Sequence, residues 1–184
     1  MRSLPVLLAL VVPACDGHRA LPVEAACNPL GATGCLTPWP SSALGTNGFA
    51  AATPITMEVE ASIDPASLAL PDATVLLDLT TGERVAHAAT IEARPDDAQA
   101  IRILPASTLA SGHRYAVAIT DAVLDLDGDS LEATPGFEAL LDERYTDHDL
   151  LEAMRPRFAD TLDALEAAGI DVDSLVVAWD FATS

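Results

Sequence analysis

The sequence predicts a mainly β protein: an antiparallel β-sandwich, then a C-terminal helix and one terminal strand. Three observations carry this. Short alternating segments recur about every ten residues between residues 53 and 138, with turn residues between them. A helical period of apolar residues replaces the alternation after residue 146. A run rich in Val, Trp and Phe, Leu175 to Phe181, closes the chain.

The elements follow in order. Ile55-Thr-Met57-Glu-Val59-Glu alternates with period two, one face apolar and one wet. Thr74 to Leu79 is rich in strand formers and stops at Thr81–Gly82, and Val85 to Ala93 resumes as the next strand. Ala98 to Leu104 contains Ile101-Arg-Ile103 and ends at Pro105. After the Ser111–Gly112 turn, Tyr115-Ala-Val117-Ala-Ile119 alternates again. Asp127–Gly128 is a hairpin dipeptide, and Leu131 should begin a short return strand. Thr146 is placed to cap a helix starting at Asp147, whose apolar face would be Leu150, Leu151, Met154, Phe158, Leu162 and Leu165. Pro156 is expected to kink or split it, and Gly169 to stop it. Leu175 to Phe181 then reads as a strand with no evident partner, which is odd for a finished domain.

Composition limits the partners. The 184 residues carry nine basic side chains, all Arg, against 28 acidic ones, a net charge of −19 and a pI near 4.1. A phosphate backbone needs a basic patch, so no nucleic acid partner is expected. Electrostatic docking on anionic lipid is disfavoured for the same reason. Aromatic residues are only 4%, which leaves little for stacking platforms or a sugar-binding strip.

The N-terminus points to export. One Arg precedes an apolar run from Leu4 to Val12, too short to span a bilayer but suited to a secretory signal. The run ends in Val12–Pro13–Ala14–Cys15, which resembles the lipobox of bacterial lipoproteins. That resemblance implies cleavage before Cys15, lipidation of Cys15, and a membrane partner reached through the anchor; an ordinary cleaved signal that happens to contain Cys is the plainer alternative. Asp16 follows, and the choice of inner or outer membrane stays open. With Cys15 assigned to lipid, Cys27 and Cys35 remain, and outside the cytoplasm such a pair is expected to form a disulfide. Closing so short a loop is worth about 2.6 kcal/mol in the chain-entropy model. A metal site is the sharper alternative, but it needs about four ligands and His18 is the only nearby histidine.

The chain therefore divides into a lipoprotein signal at 1–14 and a tether at 15–52 holding the disulfide and a Pro/Gly-rich loop that leads into the first strand. The sandwich follows at 53–138, then helix and terminal strand at 139–184. Trp39, between Pro38 and Pro40, is open to a ligand role. A large ring on a rigid turn buries area at low entropic cost, so it is expected to plug a domain edge.

Candidate chemistry is sparse. Asp125, Asp127 and Asp129 place carboxylates at alternate positions, the spacing of calcium loops, but Ser130 and Gly136 stand where an EF-hand needs its Gly and bidentate Glu. A turn in which Asp side chains accept backbone N–H bonds is the preferred reading, and calcium is not expected to be required. His18, His87, His113 and His148 lie on separate segments without metal-ligand spacing. No nucleophile elbow, P-loop or dinucleotide fingerprint occurs, so no catalytic residue and no cofactor is assigned.

Several short motifs carry a family resemblance. Ile63-Asp64-Pro-Ala-Ser67-Leu68 resembles an element of bacterial Ig-like domains of the S-layer type, as do Leu104-Pro105 through Tyr115-Ala-Val117 and Asp125 through Leu131. The tail, with Leu151 through Arg155-Pro156, Glu166-Ala-Ala-Gly169-Ile170-Asp171 and Val177-Ala-Trp179-Asp-Phe181, resembles the N-terminal region of exported lipases of the virulence-factor type. The first resemblance implies an Ig-like sandwich. The second implies that residues 139–184 begin a missing or truncated α/β-hydrolase domain. Two functions follow as expectations. One is a lipid-anchored, exported envelope protein acting as a non-catalytic spacer or interaction module with a protein partner; the other is the accessory domain of a downstream hydrolase.

Overall fold

The computed structural model describes residues 54–59, 61–94 and 99–184. Cys15, His18, Cys27, Cys35 and Trp39, with the signal, lipidation and disulfide assignments that fall on them, lie outside these described residues.

Among the described residues, seven strands form two antiparallel sheets. β1 (Ile55–Val59), β5 (Gln99–Pro105) and β4 (His87–Ala93) make a three-stranded sheet in the order β1-β5-β4. β2 (Thr74–Asp78), β3 (Glu83–Arg84), β6 (Arg114–Thr120) and β7 (Leu175–Ala182) make a four-stranded sheet in the order β3-β2-β6-β7. Two helices, α1 (Pro135–Leu141) and α2 (Asp149–Ala167), cross between β6 and β7. One contiguous core joins both sheets and both helices, among them Ile55, Leu76, Ile103, Val117, Phe158 and Phe181.

Within the four-stranded sheet β6 and β7 are buried on both faces, and their register shows why. Ala116 pairs with Asp180 and Ala118 with Ala178, so these residues share one face with Arg114. α2 reaches that face through Arg157 and Thr161. The three alanines are fully buried and small enough to admit a helix close to the strands. Tyr115, Val117, Ile119, Val177, Trp179 and Phe181 occupy the other face and are buried in the common core. β4, by contrast, alternates between half-buried and exposed positions, as a half-solvated edge strand should.

Four expectations need correction. The terminal strand is not lone: β7 pairs with β6 from Arg114↔Ala182 to Thr120↔Leu175. The helices thus serve as a crossover that returns the chain to the sandwich, and the argument from an unpartnered strand falls. The strand expected at Val85 to Ala93 begins two residues later, at His87. The chain pairs with β2 through Glu83–Arg84, the Val85 N–H donates to Leu76 O (2.8 Å), and the chain then changes sheet to join β5. Period-two alternation reports a buried face but not which sheet owns it. The return strand at Leu131 reduces to a single bridge, Leu124↔Ser130. Finally, α2 begins at Asp149 with His148 as its N-cap, not at Asp147 behind Thr146. Thr146 Oγ1 accepts from the His148 N–H (3.3 Å), while the Thr146 N–H and hydroxyl both donate to Glu152 Oε1 (2.7 Å each).

Pro156 lies inside α2 without splitting it. Its ring is exposed, and buried Leu151 on one side and Phe158 and Leu165 on the other hold the helix across the missing hydrogen bond. Leu150, expected inside, is 37% exposed. The helix ends as expected. Gly169 adopts φ +81°, its N–H donates to Glu166 O (2.8 Å), and the Ile170 N–H donates to Leu165 O (3.0 Å), with both apolar side chains buried. Helix α1 was not foreseen. Thr134 caps it, accepting from the Phe137 N–H (3.3 Å), and Pro135 starts it.

Candidate functional site

The titratable side chains gather where β6 begins and β7 ends. His113, Arg114 and Tyr115 are consecutive, and strand geometry sends neighbours to opposite faces. Two clusters result, one on each face.

On the core face, His113 Nδ1 donates to Asp78 Oδ2 (2.7 Å). The other Asp78 oxygen accepts from the Thr80 N–H (2.9 Å) and the Thr81 N–H (3.3 Å). Burial opposes ionisation of Asp78, yet the His113 hydrogen bond, the Thr80 amide and the histidine's charge together hold its carboxyl below the usual range. Tyr115 stacks on Phe181 at 5.7 Å, and its hydroxyl accepts from the Ala110 N–H (2.9 Å). Burial raises the Tyr115 pKa, the Ala110 N–H works against that, and the Asp78 charge adds to it. The Thr183 hydroxyl lies at 2.5 Å from Ala110 O and 3.1 Å from His113 O, and it accepts from the His113 N–H (3.1 Å). A carboxylate–imidazole pair is present, but this hydroxyl is directed to main chain. The geometry clamps the end of β7 to the loop before β6.

On the helix face, Asp180 Oδ2 accepts from Arg114 Nε (2.5 Å) and from Arg157 Nε (2.7 Å) and Nη2 (2.5 Å). Arg114 Nη2 also donates to Arg157 O and to Thr161 Oγ1, both at 3.1 Å. The Asp180 side chain is 8% exposed, and the arginines are about one third exposed. This network pins α2 to β6 and β7.

A third cluster sits at the start of α2. Arg155 donates to Glu152 through Nε (3.0 Å) and Nη2 (2.9 Å), and Nη2 also reaches Arg144 O (2.7 Å). The Arg155 guanidinium covers the Tyr145 ring at 5.3 Å. The Glu152 carboxyl is held down at about 2, first by the Arg155 hydrogen bonds, against burial, and then by the Thr146 hydroxyl and amide.

The remaining histidines differ from one another. His87 donates from Nδ1 to Val85 O (2.9 Å), which leaves Nε2 to accept from Thr74 Oγ1 (3.0 Å). His148 is 3% exposed, and neither ring nitrogen has a hydrogen-bond partner among the described residues. Its side chain makes no cap bond to the helix. His148→Leu should therefore raise stability by about 1 kcal/mol, because an unsatisfied buried polar group is removed and the backbone bonds remain. Urea unfolding checks this, and a lowered midpoint would show that the ring has a partner in solution.

The Asp125–Asp129 segment folds as the expected turn. Asp125 Oδ1 accepts from the Asp127 and Asp129 N–H groups (2.9 Å each), and Gly128 adopts φ +87°. The Asp125, Asp127 and Asp129 side chains do not form a three-ligand metal cluster among the described residues. No local signal would have found the Asp78–His113 pair. The residues are 35 positions apart and meet because Asp78 pairs with Tyr115 across β2 and β6.

Two grooves remain. One, of about 340 Å³, lies where the chain changes sheet; its His87 and Thr74 bond each other, and its Arg84 holds Asp72 and Ala168 O. The second, of about 140 Å³, lies between β1 and β7 and is lined mainly by apolar side chains.

Comparison with known proteins gives one family match: the family described as bacterial Ig-like domain covers residues 40–138, more than half of the chain. Among solved structures, domains 1–6 of the surface layer protein SbsC are similar at 18% identity and a TM-score of 0.32, over 44% of this chain and 11% of that one. The N-terminal part of the bacterial S-layer protein SbsC is similar at the same identity and TM-score, over 44% of this chain and 19% of that one. The chain thus spans less than a fifth of either. No curated protein matches.

Proposed function

The chain belongs to the bacterial Ig-like domain family, and from that premise we propose that it is an exported, lipid-anchored envelope protein whose Ig-like module is a non-catalytic spacer or interaction module. The observation that carries the reading is the order of parts: an apolar run ending in Val-Pro-Ala-Cys15, a Pro/Gly-rich tether, then the Ig-like sandwich. Lipid on Cys15 supplies membrane affinity that the −19 charge would otherwise oppose. Among the described residues no helix is long and apolar enough to cross a membrane. The chemistry of the described site favours holding over reacting. Asp78, Tyr115, Thr183 and Asp180 each spend their polar atoms on main chain or on ion pairs that join elements of the domain.

Cys15→Ser tests the anchor. The wild-type protein should fractionate with membranes and dissolve in detergent, and the variant should appear in the soluble fraction. Intact mass showing an unmodified Cys15, or a variant that stays with membranes, would overturn the anchor. Turnover of short-chain acyl esters that disappears on mutating one Ser or His would overturn the non-catalytic reading.

A further inference from the structure

The Asp125–Asp129 turn carries a reactive dipeptide. Among the described residues only Gly128 follows an aspartate. Asp127 and Gly128 are both exposed, and nothing lies within 4 Å of where a Gly128 Cβ would be. With no side chain of its own, Gly128 leaves its nitrogen open to the carboxyl of the residue before it. The bonds that close the turn, Gly128 N–H to Asp125 O (3.2 Å) and Asp125 N–H to Asp129 O (2.9 Å), belong to a segment exposed from Leu126 to Ser130. Such segments open at a small fraction of the cost of global unfolding. The turn also has something to hold. The Leu126 N–H donates to Ser62 O and the Asp64 N–H to Leu124 O, both at 2.9 Å, and Ile63 bridges Asp125. The Ile63 side chain between these bonds is buried in the core.

We propose that Asp127 is a modification site: it isomerises spontaneously to isoaspartate in the folded protein, and this releases the turn's hold on Ser62–Asp64. The Gly128 nitrogen attacks Cγ of the Asp127 carboxyl in its acid form. A C–N bond forms, the carboxyl hydroxyl leaves as water with the amide proton, and a five-membered succinimide results. Solvent water then opens the ring. Addition at Cγ restores aspartate, whereas addition at the α carbonyl leaves the main chain running through Cβ and Cγ, which is isoaspartate. The product carries one extra methylene in its main chain. Two bonds span that insertion, Asp125 N–H to Asp129 O and Asp129 N–H to Asp125 Oδ1, so the closed turn no longer fits. The exposed isoaspartate is also open to a carboxyl methyltransferase that recognises this group. The inference stands apart from the lipid anchor and survives if Cys15 proves unmodified.

Ageing of the full chain tests it. The protein is held folded for several weeks at mildly acidic pH and then mapped by peptide mass spectrometry with electron-based fragmentation, which separates isoaspartate from aspartate. Isoaspartate at Asp127 should exceed that at Asp129–Ser130 and Asp173–Ser174 several-fold, with a succinimide one water lighter at the same position. Labelling of this peptide by an isoaspartyl methyltransferase should rise with age and vanish in Asp127→Glu, whose longer side chain closes the corresponding ring far more slowly. Amide hydrogen exchange at Asp64 and Leu126 should be several-fold faster in the aged fraction than in fresh protein. Isoaspartate at Asp127 no higher than at the other two sites would overturn the proposal, and so would its formation only in urea, since the folded turn would then protect the bond. Unchanged exchange at Asp64 and Leu126 in the isomerised fraction would overturn the release of Ser62–Asp64. The comparison among sites uses the wild-type chain alone, so it stands even if Asp127→Glu fails to fold.

Discussion

Asp180→Ala should lower the stability of the folded domain by about 3 kcal/mol, within the range for breaking a buried ion pair from one side. The Asp180 carboxylate is the shared acceptor of Arg114 and Arg157 and is 8% exposed, so its removal leaves two guanidinium groups facing one another across the α2–sheet contact. The arginines are about one third exposed, and water reaching them keeps the cost toward the lower end of that range. For a domain of this size the thermal midpoint should fall by roughly 6–12 °C. Asp180→Asn should cost less, because an amide oxygen still accepts one hydrogen bond. The double variant Asp180→Ala with Arg157→Met should recover part of the loss, since it removes one of the stranded charges. Denaturant unfolding of wild type, Asp180→Ala, Arg157→Met and the double variant measures the coupling. A loss below about 1 kcal/mol for Asp180→Ala would place the pair among solvent-screened surface contacts.

The same network shows what the sequence could and could not disclose. Alternation at Ile55-Thr-Met57-Glu-Val59 and at Tyr115-Ala-Val117-Ala-Ile119 marked β1 and β6, because a strand with one buried face writes its period into the chain. The Gly169 helix stop and the Asp125–Asp129 turn were legible because each depends on a few neighbouring residues. Helix α1 was not, since seven residues are too few to establish a 3.6-residue period and only Thr134–Pro135 announces it. Sheet membership was hidden for a different reason. The partner of β7 is β6, about sixty residues upstream, and nothing in Leu175 to Phe181 names it. That omission made the strand look like the start of a further domain, when its hydrogen bonds belong to the sandwich. The Asp78–His113 and Arg114–Asp180–Arg157 contacts are products of the β2–β6–β7 register and of α2 lying over Ala116, Ala118 and Ala178. They become readable only once the strand pairing is known. The lipidation and disulfide assignments are local inferences about Cys15, Cys27 and Cys35 and rest on the sequence alone.

Acid should selectively remove what Glu152 contributes. Its carboxyl is lowered from 4.5 to about 2 by the Arg155 hydrogen bonds, against burial, with the Thr146 hydroxyl and amide assisting. Arg155 is raised in turn, first by the same hydrogen bonds, so the two shifts describe one interaction and are counted once. At about 1.4 kcal/mol per tenfold, the ceiling is about 3 kcal/mol. Exposure of 26% for Glu152 and 19% for Arg155 brings the expected contribution to about 2 kcal/mol. A carboxyl lowered on folding stabilises fully above its unfolded value near 4.5, and that stabilisation is lost as pH falls toward 2. The pair also holds α2 to the preceding turn, through Arg155 to Arg144 O and Glu152 to Thr146, so this end of the helix should loosen first. Bulk acidification has an opposing effect, because protonating other carboxylates relieves the repulsion of a −19 chain. The informative quantity is therefore the difference between wild type and Glu152→Gln, measured by urea unfolding from pH 6 to pH 2. That difference should be about 2 kcal/mol at pH 6 and shrink toward zero as the pH approaches 2. A difference that stays constant across the range would mean that Glu152 acts through neutral hydrogen bonds, and the charge-based account of this helix start would fail.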